Sequence, residues 1–298
     1  MAAGARPVSE VSEWRLAARR YAKNRAALAA AVVLAVMYLV MLLSYVQVGG
    51  KPITTPYDPH AYDLTKPVAP PSAEHPVGTD RGGYDVLSRL IEGSKVSLNV
   101  GLVSMAVALA LGILVGSMAG YFGGPLDGAL MRTTDVFLSF PQLPLLLILA
   151  VLLSTGFWTI VAFIALFSWM NVARLVRAEF LQLKEKEFVI AARSIGASDA
   201  RIISVHLLRN SWAPVIVAAT LGVANAILAE SWLSFLGFGV PPSTPSWGNM
   251  LTRASDYMFS APLLVIVPGL AITVTVLCFN FVGEGLRQAL DPYVKERS

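Results

Sequence analysis

Charged residues are scarce in this sequence. They make up only 14% of its 298 residues, whereas a soluble domain carries about a quarter. The scarcity is uneven, because long stretches carry no charge and short polar segments separate them. A helix needs about 20 apolar residues to cross a bilayer, and the composition therefore indicates a membrane protein. The uncharged stretches are 26–46, 96–122, 136–173, 211–229 and 257–283.

The stretch 136–173 is twice the length that one spanning helix needs, since it holds 38 residues. Ser154, Thr155 and Gly156 lie near its middle and favour a turn between two helices. We therefore predict an all-α membrane protein with six transmembrane helices. Its predicted parts are a basic segment 1–25, a first helix 26–48, a loop 49–95, a five-helix core 96–287 containing a long loop 174–210, and a tail 288–298.

Residues and motifs of catalytic chemistry are also missing. The single cysteine, Cys278, has no partner for a disulfide. The one Gly-Lys pair, Gly50-Lys51, precedes Pro52 and does not form a phosphate-binding loop. Neither a zinc-protease motif nor a serine nucleophile elbow occurs in the sequence. We predict that this chain is not an enzyme and binds no nucleotide, cofactor or metal.

Basic residues predict the orientation. With six spans both termini share one side, and 17 of the 23 Lys and Arg residues fall there. Because a basic excess marks the cytoplasmic side, both termini are predicted to be cytoplasmic. We attribute the net charge of +4 to this distribution of basic residues across the membrane. A nucleic-acid-binding patch is the weaker alternative.

Three glycines recur at four-residue spacing in the second span: Gly112, Gly116 and Gly120. They share one face of a helix, where the absence of side chains lets another helix approach closely within lipid. Helix packing is our prediction for this face. A solute-lining role is the alternative.

Glu230 is the one acidic residue placed well inside an apolar stretch. Carboxylates within membranes are costly and suggest function. Glu230 follows Trp212 by a helical length of about 27 Å, close to the outer interface. The sequence thus predicts a structural role at a possible outer gate or against a partner helix.

The loop 174–210 is polar enough to project into water, yet it contains an apolar patch. An apolar cluster rimmed by charges suggests a docking surface for another protein. The alternative is a helix lying on the membrane surface. The patch comprises Phe188, Val189, Ile190, Ala191, Ala192 and Ile195.

The segment from about Lys184 to Ile195 has helix-forming composition. Gly196 follows it, where a left-handed residue is expected to end the helix. Ser198 or Asp199 is predicted to cap the next helix, which runs towards Leu208.

Four segments, in order along the chain, resemble the second permease subunit of dipeptide, oligopeptide and nickel ATP-binding-cassette (ABC) importers. The resemblance covers nearly the whole sequence. The segments are His75–Asp80 with 85–89, Gly120–Gly124 with Asp127 and Met131-Arg132, 233–248, and 280–292.

The loop 174–210, which we call the coupling loop, resembles the signature shared by importer permeases: Glu-Ala-Ala, three residues, Gly, nine residues, then Ile-x-Leu-Pro. Ile190, His206 and Arg209 depart from the glutamate, isoleucine and proline positions. Glu187 lies one helical turn before Ile190 and can supply the missing charge. The resemblance implies that an ATPase contacts Glu187, Ala191, Ala192, Arg193, Gly196, Ala197, Asp199 and Leu208.

The resemblance further implies a type I importer fold with a MetI-like core, located in the bacterial inner membrane. Implied partners are a homologous second permease, two cytoplasmic ATPases that bind the ATP, and an extracytoplasmic binding protein. Peptides are the expected solute. Nickel or oligosaccharide import, a stand-alone secondary transporter and a membrane enzyme are the alternatives.

Overall fold

Helices make up most of the computed structural model, which describes residues 13–153, 156–241 and 243–291. The helices are α1 (Glu13–Lys23), α2 (Arg25–Leu43), α3 (Val86–Phe122), α4 (Gly124–Ser139), α5 (Gln142–Leu152), α6 (Phe157–Leu183), α7 (Glu187–Ser194), α8 (Asp199–Arg201), a π-helical segment (Ile202–Leu207), α9 (Leu208–Phe235), α10 (Trp247–Ala254), a 3-10 turn (Ser255–Tyr257) and α11 (Leu263–Leu290).

Among the described residues, five helices are long and apolar enough to cross a membrane: α2, α3, α6, the continuous helix Asp199–Phe235 and α11. The shortest has 19 residues, which is about 28 Å and close to the hydrocarbon thickness of a bilayer. A sixth span arises if α4 and α5 are counted together. The all-α class is confirmed, and six spans are reached only through this bent pair.

The α4–α5 pair bends by 83° at its break. Pro141 stands at the N-cap of α5 and has no N–H to continue the ladder of α4, so the helix stops at Ser139 and restarts at Gln142. The predicted third span therefore differs from the structure: α5 is only 11 residues long, and the connection after Gly124 is helical. Ser154 and Thr155, the centre of the predicted turn, lie outside the described residues.

The first span ends at Leu43, five residues before its predicted end. A small hairpin follows, in which β1 (Gln47–Val48) pairs antiparallel with β2 (Lys51–Pro52) across Gly49 and Gly50. Both glycines have positive φ, the conformation that a two-residue hairpin turn requires. The second span starts at Val86, where the Asp85 carboxylate caps α3 by accepting a hydrogen bond from the Ser88 N–H at 2.8 Å.

Gly112, Gly116 and Gly120 lie on the face of α3 that packs along α6. An added Cβ at Gly112 would come within 2.7 Å of the Trp169 carbonyl oxygen, and one at Gly120 within 2.9 Å of the Arg177 carbonyl oxygen. The two backbones are therefore too close for a side chain at these glycine positions.

A buried core joins α3 to α6 on one side and to α9 on the other. Trp247 of α10 also belongs to this core, and its indole N–H donates to the Leu90 carbonyl at 3.0 Å. These contacts place α3 in the middle of the bundle. The core side chains include Leu98, Met105, Val172, Val176, Phe180, Val223 and Ile227.

Candidate functional site

The coupling loop is largely helical. Helix α6 runs through its first part to Leu183, a three-residue break follows, and α7 begins at Glu187. After a second turn the chain enters the continuous helix Asp199–Phe235, which contains the last part of the loop. The two helices predicted on either side of Gly196 are therefore present, joined by a tight turn.

Gly196 forms the turn between α7 and the next helix. Its φ is +81°, which confirms the predicted left-handed conformation. The Gly196 N–H donates to the Arg193 carbonyl at 3.0 Å, and the Ala197 N–H donates to the Ala192 carbonyl at 3.1 Å. This pair of hydrogen bonds is a Schellman motif, which satisfies carbonyls that the end of α7 leaves free. Among the residues that the structure describes, and apart from the two chain neighbours of Gly196, no atom would lie within 4 Å of a Cβ added there.

The apolar patch of the coupling loop divides into two faces. Val189 and Ala192 point inward and are buried, Val189 among core residues that also include Ile202 and Leu207. Ala197 and Leu208 are half-buried and pack against the same core. On the outer face the loop presents a surface of Glu187, Phe188, Ile190, Ala191, Arg193 and Ile195, of which Ile195 is 86% exposed.

Tyr121 ties the coupling loop to the end of α3. Its hydroxyl hydrogen-bonds to the Asp199 carboxylate, and the Arg193 guanidinium lies 5.8 Å from the centre of its ring. Tyr121 was part of a sequence motif but was not predicted as a contact of the loop. One sequence signal was available: Tyr121 stands at the end of an apolar span. A tyrosine hydroxyl that is partly buried generally has a hydrogen-bond partner, so a contact could have been expected there, but its partner could not be named.

Ser198 or Asp199 is the predicted cap of the helix after Gly196, and the structure confirms the cap position at Ser198 but not a capping hydrogen bond. Ser198 occupies the N-cap but makes no capping hydrogen bond with its side chain. Asp199 is the first helical residue, and its carboxylate accepts the hydrogen bond from Tyr121. The acid at this position therefore joins two segments of the chain.

An ion pair fixes α4 against α6 near the same end of α3. Arg177 donates to both carboxylate oxygens of Asp127, from Nε at 2.5 Å and from Nη2 at 2.7 Å. Such two-point contacts hold both orientation and distance. Asp127 belongs to a motif of the sequence analysis, whereas its partner Arg177 was missed.

Glu230 lies at the junction of α3, α9 and α10 and has no exposed surface. Ser97 of α3 donates to its Oε2 at 3.1 Å, and Ser234 donates to its Oε1 at 2.7 Å. The Ser97 hydroxyl also accepts a hydrogen bond from the Trp247 N–H at 3.1 Å. Ser246 caps α10 beside this group in a capping box with Asn249. The sequence signalled Glu230 but did not indicate the hydroxyl groups around it.

Metal ligands do not cluster in the part of the chain that the structure describes: no three His, Cys, Asp or Glu residues there could together hold an ion.

Two families match the sequence. The one described as "Binding-protein-dependent transport system inner membrane component" matches residues 112–296, which include α4 to α11. The one described as "N-terminal TM domain of oligopeptide transport permease C" matches residues 12–71.

Curated proteins with similar sequences are transport permeases. A protein of Brucella suis biovar 1, named as a peptide permease, is 41% identical over 277 residues, 92% of this chain and 89% of its own. The dipeptide transport system permease protein DppC of Alkalihalophilus pseudofirmus is 37% identical over 288 residues, 96% and 91% of the two chains. The nickel transport system permease protein NikC of Escherichia coli K12 is 39% identical over 239 residues, 80% and 86%.

Proposed function

The chain belongs to the family of binding-protein-dependent transport system inner membrane components, and on that basis we propose that it forms half of the translocation path of an importer for peptides. The chain is the permease subunit of an ABC importer. What we propose beyond this is that the imported solute is a peptide. The observation that favours peptides as the solute is the match of residues 12–71 to the N-terminal domain of oligopeptide transport permease C.

The proposed partners follow from the same family. They are a homologous second permease, two ATPases that bind ATP in place of this chain, and an extracytoplasmic binding protein. The exposed apolar side chains of the coupling loop support the ATPase contact, since Phe188, Ile190 and Ile195 present a surface that water solvates poorly. Hydrolysis then occurs on the ATPases, and this chain supplies the path.

The ATPase contact is proposed at the eight residues named for it in the sequence analysis. Glu187, Ala191, Arg193 and Gly196 are exposed and available to a partner, whereas Ala192 is buried and holds α7 in place. Asp199 links the loop to Tyr121. A force on α7 therefore reaches α3 through side chains that are already in contact.

Uptake by the host organism tests the choice of solute. Deleting the gene is expected to abolish the importer's share of radiolabelled dipeptide and oligopeptide uptake and to leave nickel uptake unchanged, with the wild-type gene restoring the loss. Nickel import is the second candidate because of the 39% identity to the nickel permease. Loss of nickel uptake with normal peptide uptake would select that candidate and contradict ours.

Orientation is the second point to test, and we propose that both termini are cytoplasmic. A reporter fused after Ser298 should report the cytoplasm, and one inserted beside Pro67, in the 44–85 loop, should report the outside. The physical reason is the concentration of 17 of 23 basic residues on one side. Inverted signals at both sites would overturn this orientation.

A further inference from the structure

Helix α1 lies immediately before the first membrane span. Only Asn24 separates it from α2, and the Asn24 side chain caps α2 by accepting a hydrogen bond from the Ala27 N–H at 3.1 Å. The chain carries no charge from 26 to 46, so the start of α2 marks the edge of the apolar layer. All of α1 is therefore within about 16 Å of chain length from that edge.

One face of α1 is held against the end of α11. Arg20 donates from Nη1 to the Asp291 carbonyl at 3.0 Å, and Asn24 donates to the Gln288 side-chain oxygen at 3.2 Å. Tyr21 packs over Gly285 from the same face. These contacts fix which side of α1 faces the protein and which side remains open.

The open side carries three cations in a row. Arg15, Arg19 and Lys23 are spaced by four residues and are all exposed, and we call them the basic stripe. Among the side chains that the structure describes, which exclude those of residues 1–14, no carboxylate forms an ion pair with any of the three. Like charges at this spacing repel one another and destabilise a helix unless a counter-charge lies beside them.

We propose that the basic stripe binds the headgroups of anionic phospholipids. Clustered cations next to a transmembrane helix attract such headgroups, each strengthening the association by about fivefold. Leu16 lies beside the stripe and is 41% exposed, which suits the boundary between headgroups and acyl chains. An acidic protein surface would match the charge but would not use an exposed leucine at the membrane edge.

Hydrogen exchange of the full-length chain in lipid nanodiscs tests this contact. The amides of α1 are expected to exchange about tenfold more slowly with phosphatidylglycerol present than in phosphatidylcholine alone. The triple variant Arg15→Gln, Arg19→Gln, Lys23→Gln should lose that difference, since glutamine keeps the helical preference of α1 and removes its charge. High salt should weaken the wild-type protection.

A matched control removes three cations elsewhere: Lys51→Gln, Lys66→Gln, Arg81→Gln in the 44–85 loop should leave the exchange of α1 unchanged. Arg15→Lys, Arg19→Lys should retain the protection, because charge and not guanidinium geometry is responsible. Equal exchange of wild-type α1 in both lipids would overturn the proposal. The proposal would also be overturned if the α1 amides exchanged slowly only when another protein was added, whatever the charge of the lipid.

Discussion

We expect Gly116→Leu to prevent the chain from accumulating as a folded membrane protein. An added Cβ at this position would lie 3.0 Å from Ala173 Cα and 2.9 Å from Val176 Cβ, and closer still to the Ala173 carbonyl oxygen. Backbone atoms of α6 cannot rotate away as a side chain can, so the two helices must separate. Overpacking typically costs about 1–3 kcal/mol, and we expect this substitution to lie at or above the upper end because the clash is with backbone. Immunoblots of membranes and the Tm of the purified chain measure the loss.

The matched control is Gly269→Leu. Gly269 lies inside α11, and an added Cβ there would meet nothing within 4 Å. The two variants therefore share the same chemical change and differ in the space available. Gly269→Leu should accumulate and melt as the wild type does. If Gly116→Leu behaves in the same way, α3 and α6 do not pack in the membrane as described.

A second large effect is expected at Gly196, where Gly196→Leu should reduce solute uptake by about tenfold or more while leaving the chain in the membrane. The positive φ of Gly196 costs a non-glycine residue about 1–2 kcal/mol. That cost falls on one turn at the surface. The larger effect comes from the ATPase contact proposed there, which a leucine side chain would obstruct. Uptake and the amount of copurifying ATPase are the quantities to measure.

Two further substitutions separate backbone strain from obstruction. Gly196→Asn should retain most of the uptake, because asparagine tolerates the left-handed conformation. Gly196→Ala introduces the strain without the bulk and should fall between Asn and Leu. Apart from its two chain neighbours, no described residue lies within 4 Å of a Cβ added at Gly196, so a further loss in Gly196→Leu would indicate a surface that another subunit supplies. Wild-type uptake and ATPase recovery in Gly196→Leu would place the coupling contact elsewhere.

Sequence alone predicted the long helices, because an uncharged stretch of bilayer length has few alternatives to a membrane helix. It did not predict the 83° bend between α4 and α5. The stretch 136–173 is uncharged throughout, and its hydropathy does not indicate the angle between successive helices. Pro141 indicates that a helix can break there, whereas the angle depends on packing against the rest of the bundle.

In the coupling loop, features set by neighbouring residues were predictable, whereas contacts between residues distant in sequence were not. The left-handed turn at Gly196 follows from neighbouring residues and was predicted. The contacts of Tyr121 with Asp199 and of Asp127 with Arg177 join residues 78 and 50 positions apart, so no local pattern reveals them. Glu230 was recognisable because a carboxylate is unusual in an apolar stretch. Of its two serine partners, Ser234 lies one turn later in the same helix, whereas Ser97 comes from another helix 133 positions away and could not be predicted from local sequence.

The helix Asp199–Phe235 is joined to α3 at two widely separated points. Tyr121 contacts Asp199 near one end of the pair, and Ser97 contacts Glu230 near the other. Ser97 and Tyr121 are about 36 Å apart along α3, and the two helices run antiparallel. Sliding or twisting of one helix past the other would break at least one of these contacts. We therefore expect the pair to move as one body, with α10 linked to it through the hydrogen bond between the Trp247 backbone N–H and Ser97. A displacement applied at the coupling loop by the proposed ATPase is thus expected to reach the Ser97–Glu230 end of the pair without a change inside these two helices.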